Sequence, residues 1–285
     1  MLTTMQIMSA AGVVAYFGRE LSTSEYYTAE HGVWHGKGAE RLGLPNDLTK
    51  EDFEAIANNR LPQSGERLTA RTNDKRSDIV WEFEEESQSR VPNKIEVNNR
   101  RVCVDFTFSV PKSVSMYLMR TKDKEAEKLI HQALRETMDD IEAAIQTRVR
   151  IGRADYDRVT GNAIWAKCIH RTTRPVSGRV DPHWHCHALL FNATYDETEG
   201  RWKAAQLGNV IANKGFYQAA FQSRTAEKLM EAGHRLRRTE RDFEMDVFTP
   251  EEIRVFCKRT KQIELLEREL RSQPRRTVRG GAQPD

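Results

Sequence analysis

Cysteine is scarce in this chain: four in 285 residues, at positions 103, 168, 186 and 257, with no CxxC pair and no regular spacing. That excludes a disulfide framework and points to a reducing, cytoplasmic setting. Long apolar runs are also missing. None approaches the roughly 20 residues that span a bilayer. The opening MLTTMQIMSAAGVVAYF is mildly apolar but has no basic n-region, so it does not read as a signal peptide. Charge of one sign is lacking too. Lys and Arg number 45 against 42 Asp and Glu, so a net charge of +3 does not announce a nucleic-acid partner. No HExxH motif occurs, which argues against a metalloprotease. What remains, with 38% hydrophobic and 31% charged residues, is a globular composition with enough chain for a substantial core.

The charge that is present is clustered. Glu82, Glu84, Glu85 and Glu86 form an acidic group; Arg235, Arg237, Arg238 and Arg241 form a basic one, as do Arg271, Arg275, Arg276 and Arg279. Taken singly, each reads as a solvated helix face. Residues 5–20 carry apolar positions at helical spacing, and 47–58 reads as a capped helix. The polar stretch 61–99 is expected to be loop with a short strand. RVCVDFTFS, from Arg101 to Ser109, alternates strictly and predicts a strand with Asp105 and Thr107 on one face and Phe106 and Phe108 on the other. A helix from Lys112 to Met119 and a long amphipathic one over 122–149 follow. Strands are expected over 163–170 and 183–192, and helix from 214 nearly to 271. Residues 272–285, rich in Pro, Gly and Arg, read as a disordered basic tail.

Of eight histidines, three fall within DPHWHCHALLFN, at 183, 185 and 187. On a strand they share a face. Neighbours at i and i+2 lie roughly 6.6 Å apart and can converge on one ion, whereas i and i+4, roughly 13 Å apart, cannot. One adjacent pair can therefore bind a metal, and a third ligand should come from a neighbouring strand, where His170 ends the preceding one. His183 sits at the strand's mouth after Pro182, so the expected ligands are His170, His185 and His187. Three neutral imidazoles suit Mn, Co, Ni or Zn, and three protein ligands leave positions open for chemistry. Candidate nucleophiles near the N-terminus are Tyr16, Tyr26 and Tyr27, and clustered tyrosines alone read as ordinary packing.

The order of these features carries a resemblance: early tyrosines, WHGKGAERLGL, DFTFSVPKSVS, a histidine with an arginine four residues on, then DPHWHCHALLFN. It resembles the MobF-type, TraI/TrwC-like conjugative relaxases, within the His-hydrophobe-His endonucleases, over residues 1–271. The resemblance implies an α/β fold: a two-layer domain with a central antiparallel sheet, helices on one face and a C-terminal helical lid. It implies His170, His185 and His187 as metal ligands, with Mg or Mn as the ion in the cell, and Tyr16 as nucleophile. Tyr26 and Tyr27 match a second pair, while Phe17 departs from members with two adjacent tyrosines. Asp105 would take the nucleophile's proton or hold a ligand histidine, and the residues leave both open. Lys112 and Arg174, with Arg235, Arg237 and Arg238, would contact DNA; Trp34, Trp202, Phe216 and Tyr217 are stacking candidates that read more readily as core. The implied partners are single-stranded DNA at a plasmid transfer origin, with an adjacent hairpin, and accessory relaxosome and coupling proteins. A helicase region usually follows in such proteins. The alternatives are a rolling-circle replication initiator and a non-catalytic, metal-containing DNA-binding module.

Overall fold

The computed structural model describes residues 2–7, 9–15, 32–70, 75–84, 89–98, 101–240 and 242–272. In chain order the elements begin with β1 (Leu2–Ile7), β2 (Val33–His35), α1 (Lys37–Arg41), α2 (Lys50–Ala57), β3 (Lys75–Glu84), β4 (Ser89–Asn98) and β5 (Cys103–Ser109). There follow α3 (Lys112–Thr121), α4 (Lys124–Ala143), β6 (Gln146–Ile151), β7 (Ala154–Val159), β8 (Trp165–Thr172) and β9 (Pro182–Phe191). The last third holds β10 (Thr194–Asp196), β11 (Arg201–Lys203), β12 (Ala205–Gln206), α5 (Gly208–Ala212), α6 (Lys214–Glu231), β13 (Leu236–Arg238), β14 (Phe243–Met245), α7 (Pro250–Val255) and α8 (Lys258–Ser272).

Five strands make the central sheet in the order β1-β5-β9-β8-β2, and every pair in it is antiparallel. The strict alternation of β5 sets the two faces. Val104, Phe106 and Phe108 turn to one side, where Trp184, Cys186 and Leu190 of β9 join them. The helices cover this face. α4 starts where the Asp123 carboxylate accepts the N–H groups of Glu125 and Ala126. It then buries Ile130, Leu134, Met138 and Ile141 at helical spacing against the sheet. α6 adds Tyr217, Phe221 and Leu229 to the same core. The opposite face is split. Cys103, Ala166, Cys168, Leu189 and Phe191 pack under Val13, Trp34, Phe53 and Ile56 at one end. At the other end the same face carries Asp105, Thr107, His170, His185 and His187.

A glycine pair fixes the covered end. Gly36, at φ 96°, and Gly38 lie so close to β8 that a Cβ on either would fall 2.4 or 2.6 Å from the Ala163 carbonyl oxygen. The buried Glu142 carboxylate accepts the N–H groups of Lys37 and Ala163, both at 2.7 Å, and closes this junction. The four cysteines form no disulfide, as expected.

Several elements differ from the sequence reading. Residues 2–7 form an edge strand, because LTTMQI can pair with β5 along its whole length; helix begins at residue 10. The stretch 61–99 holds two ten-residue strands, β3 and β4, that pair with each other from Lys75↔Asn98 to Glu84↔Ser89. A two-stranded ribbon outside the main sheet needs no core-facing period, so its polarity hid it. The long helix stops at Ala143, and the alternating TRVRI continues as β6. The C-terminal region is not one helical run. Gly233, at φ 89°, ends α6, the β13–β14 hairpin follows, and a capping box of Thr249 and Glu252 restarts helix at Pro250. The tail 273–285 lies outside the described residues.

Gly36→Ala should destabilise the fold by about 2 kcal/mol, from the positive φ and the contact with the Ala163 carbonyl. Urea unfolding of both forms measures this; an unchanged midpoint would show that the junction relaxes freely.

Candidate metal centre

Antiparallel register brings the histidines together. His185 pairs with His170 across β9 and β8, and His187 pairs with Cys168 one step further along. The ring centroids of His170, His185 and His187 lie 5.1 to 5.2 Å apart, and one nitrogen of each lies within 4.8 Å of the others. Among the described residues this trio is the group able to hold a metal ion.

The second nitrogen of two rings is occupied in a way that frees the first. The Nδ1–H of His187 donates to the buried Asp105 carboxylate at 2.7 Å, and the Thr107 hydroxyl, 3.3 Å from that nitrogen, donates to the same carboxylate. The Nδ1–H of His185 donates to the His183 carbonyl at 3.0 Å. Both leave Nε2 as the open donor, the arrangement that orients ligand imidazoles. Burial lowers the pKa of His170 to about 4 and that of His185 to about 3, with the neighbouring imidazoles adding to the effect. The rings of His170 and His185 are thus neutral near pH 7, the form that ligates. The trio fits a divalent ion.

His183 stands apart because of a bulge. From His170 to Thr172 β8 advances two residues, while from His185 to Pro182 β9 advances three, so His183 and Trp184 together oppose Arg171. The His183 ring stacks on His185 at 4.7 Å, outside the trio, and burial lowers its pKa to about 3.

A cleft of about 670 Å³ opens over the histidines. Thr3, Lys112 and Arg174 line it, as do Arg259, Thr260 and Ile263 of α8. Lys112, at the start of α3, donates from Nζ to the Pro182 carbonyl at 2.8 Å, and burial lowers its pKa. The start of α8 is tied down by Asp181, whose carboxylate accepts the Lys258 N–H at 2.9 Å and its Nζ at 3.1 Å. Sequence reasoning passed over Asp181 and Arg259. Asp181 opens the DPHWH motif, so its place was visible, but its partner lies 77 residues away.

The remaining candidates separate. Tyr16, Phe17, Tyr26 and Tyr27 lie outside the described residues. Arg237 and Arg238 are on β13 and Arg235 just precedes it, so they sit on a hairpin and not on a helix, and they do not line the histidine cleft. Trp34 and Tyr217 are buried core, Trp202 packs against it, and Phe216 is 64% exposed.

The family model described as "TrwC relaxase" matches residues 10–284. A relative from Escherichia coli strain K12, "Multifunctional conjugation protein TraI", is 30% identical over 237 residues, covering 81% of this chain and 12% of that protein. The chain spans about a tenth of the length of the curated relatives it matches. The metal-bound structure of conjugative relaxase TrwC in complex with oriT DNA superposes with a TM-score of 0.77 at 25% identity, over 98% of this chain and 86% of that one. TrwC with a 27-mer DNA comprising the recognition hairpin and the cleavage site gives a TM-score of 0.73 at 24% identity, over 96% and 85%.

Replacing His170, His185 or His187 by alanine should each abolish binding of one divalent ion, while His183→Ala should keep it, as read by metal content after dialysis. Loss on His183→Ala with retention on His170→Ala would reverse the assignment.

Proposed function

The chain belongs to the TrwC relaxase family, and from that premise we propose that it is a conjugative relaxase that nicks and rejoins one DNA strand at a plasmid transfer origin. The observation that carries the reading is the Asp105-backed histidine trio at the floor of an open cleft with Lys112 and Arg174 on its walls. A protein that used a metal only for structure would surround it with ligands.

The reaction is a transesterification. The Tyr16 hydroxyl oxygen attacks the scissile phosphorus, a tyrosyl–phosphate bond forms, and the bond to the 3′ oxygen breaks. The leaving 3′ oxygen takes up a proton, and the tyrosine proton passes to a base. Tyrosine's reference pKa of about 10 makes it a weak nucleophile at neutral pH, so the positive surroundings of the cleft matter. Asp105 accepts from His187 Nδ1, which favours the orienting role over proton abstraction. Lys112 and Arg174 face the cleft where the phosphate would lie and offset its charge. A divalent ion on the trio, when bound, would polarise the phosphate as a Lewis acid. Mg or Mn is the ion the family implies; the imidazole set also suits Co, Ni or Zn. Because the phosphodiester energy is kept in the adduct, the step reverses and ends can be rejoined.

The partner is single-stranded DNA beside a hairpin, as in the complex of the related TrwC with hairpin-bearing DNA. Arg235, Arg237 and Arg238 on the hairpin, away from the cleft, would hold the flanking duplex or strand through phosphates. Accessory relaxosome and coupling proteins would act with the chain in the bacterial cytoplasm. No described helix is long and apolar enough to cross a membrane.

Incubation with a transfer-origin oligonucleotide should give a covalent protein–DNA band that is lost in Tyr16→Phe and kept when Tyr26 and Tyr27 are both changed to Phe. Loss of the band in the double variant, with the fold intact, would move the nucleophile to the second pair; no band in any form would favour a binding module.

Neutralising Arg235, Arg237 and Arg238 together should weaken binding to every sequence alike. It should flatten the slope of log affinity against log salt by roughly 0.7 for each single-strand phosphate that these arginines no longer neutralise. Fluorescence anisotropy across a salt series tests it, with Tyr16→Phe unchanged in slope; an unchanged slope in the arginine variant would leave these residues as solvated surface.

A further inference from the structure

The bulge beside the trio creates a structural difficulty. It interrupts the β8–β9 ladder immediately after the His170↔His185 pair, the pair that must hold two ligands in register. A bulge disrupts the ladder locally, bends its strand and increases the local twist. The register skips Arg171 on one strand and His183 and Trp184 on the other; Arg171 and Trp184 are each next in sequence to a ligand histidine. Both turn to the helical face of the sheet, opposite the cleft.

There they meet the same atom. Glu127, on the first turn of α4 and only 8% exposed, places Oε1 where it accepts from Arg171 Nε at 3.0 Å, from Arg171 Nη2 at 2.6 Å and from Trp184 Nε1 at 3.3 Å. The Trp184 backbone N–H donates to the Ser115 hydroxyl of α3 at 3.0 Å. From beneath the sheet, one carboxylate oxygen thus joins the two strands beside the break in their register. Lys124 lies 3.5 Å from the other oxygen and partly balances its charge.

We propose that Glu127 is a positioning residue for the metal centre: by bridging Arg171 to Trp184 across the bulge, it holds His170 and His185 at the spacing that one ion requires. It touches neither ion nor substrate. The inference rests on the metal reading of the histidine trio. It separates from a general contribution to stability because another buried carboxylate, Glu142, holds the Gly36 junction at the far end of the sheet and touches neither histidine strand near the trio.

The test is titration of Mn2+ alone into the metal-free full chain, followed by calorimetry, with unfolding midpoints measured in parallel. Glu127→Ala should bind Mn2+ at least about tenfold more weakly than the wild type, a loss of the size typical for partners that orient metal ligands. Glu142→Ala should lower the midpoint yet bind Mn2+ within about twofold of wild type. Should Glu127→Ala fail to fold, Arg171→Gln removes the same bridge from its other end and should show the same loss. Unchanged affinity in the bridge variant overturns the inference alone, as does an equal loss in Glu142→Ala, which would mean that any loosening of the fold weakens the site. Absence of Mn2+ binding by the wild type would instead overturn the metal reading, and this inference with it.

Discussion

Thr107, His187 and Cys168 lie abreast on three adjacent strands, and two residues along Ser109, His185 and His170 do the same. Everything proposed for this chain depends on that register. Side chains alternate between faces with a period of two, so a slip of one residue would send the histidines into the helical core and bring Trp184 and Cys186 to the cleft. What prevents the slip is the apolar set on the opposite phase. Phe106, Phe108, Trp184 and Ile169 are all nearly fully buried against α4 and α6, and exposing one such aromatic costs about 2 kcal/mol or more. α4 and α6, which do not line the cleft, thereby decide which way the imidazoles point.

The split of the second face follows from the same strands. Along β9 the residues change from Phe191 and Leu189 to His187 and His185; along β8 from Ala166 and Cys168 to His170; along β5 from Cys103 to Asp105. Residues 10–15, α2 and β2 cover the apolar half, and the polar half is left as the cleft. Burial there acts on charge. His170 and His185 keep pKa values of about 4 and about 3, against roughly 6.5 in an unfolded chain. The neutral rings are compatible with folding above pH 6.5. As the pH falls from there toward those lowered values, the unfolded chain takes up protons that the folded one refuses, and the metal-free fold loses stability. Neutral imidazoles are also the ligating form, so the burial that opposes protonation favours the ion.

Local signals in the sequence marked the centre well and its surroundings poorly. Strict alternation in RVCVDFTFS and the alternate histidines of DPHWHCHALLFN placed β5 and β9; the reach of side chains at i and i+2 brought in His170 from the neighbouring strand, and the place of His183 at the strand's mouth after Pro182 set it aside. The role of Asp105 stayed open because its partner, His187, is 82 residues away. The bulge that displaces His183 has no local signature, since it is a property of two strands at once. β1 was overlapped by an expected helix, and β3 and β4 were expected only as loop with a short strand, for a similar reason: edge and ribbon strands need not bury one face, so periodicity does not reveal them. The arginines of β13 carry a helix-compatible composition, and only pairing with β14 makes them a hairpin.

The central claim is that one divalent ion is held by three imidazoles from two strands, with His183 excluded by the bulge. Anomalous diffraction at the manganese edge from Mn2+-soaked crystals tests it most directly. The account predicts a single peak roughly 2 Å from Nε2 of His185 and His187 and from one ring nitrogen of His170. A peak ligated by His183 and His185 without His170, or one on the Asp105 carboxylate, would contradict it.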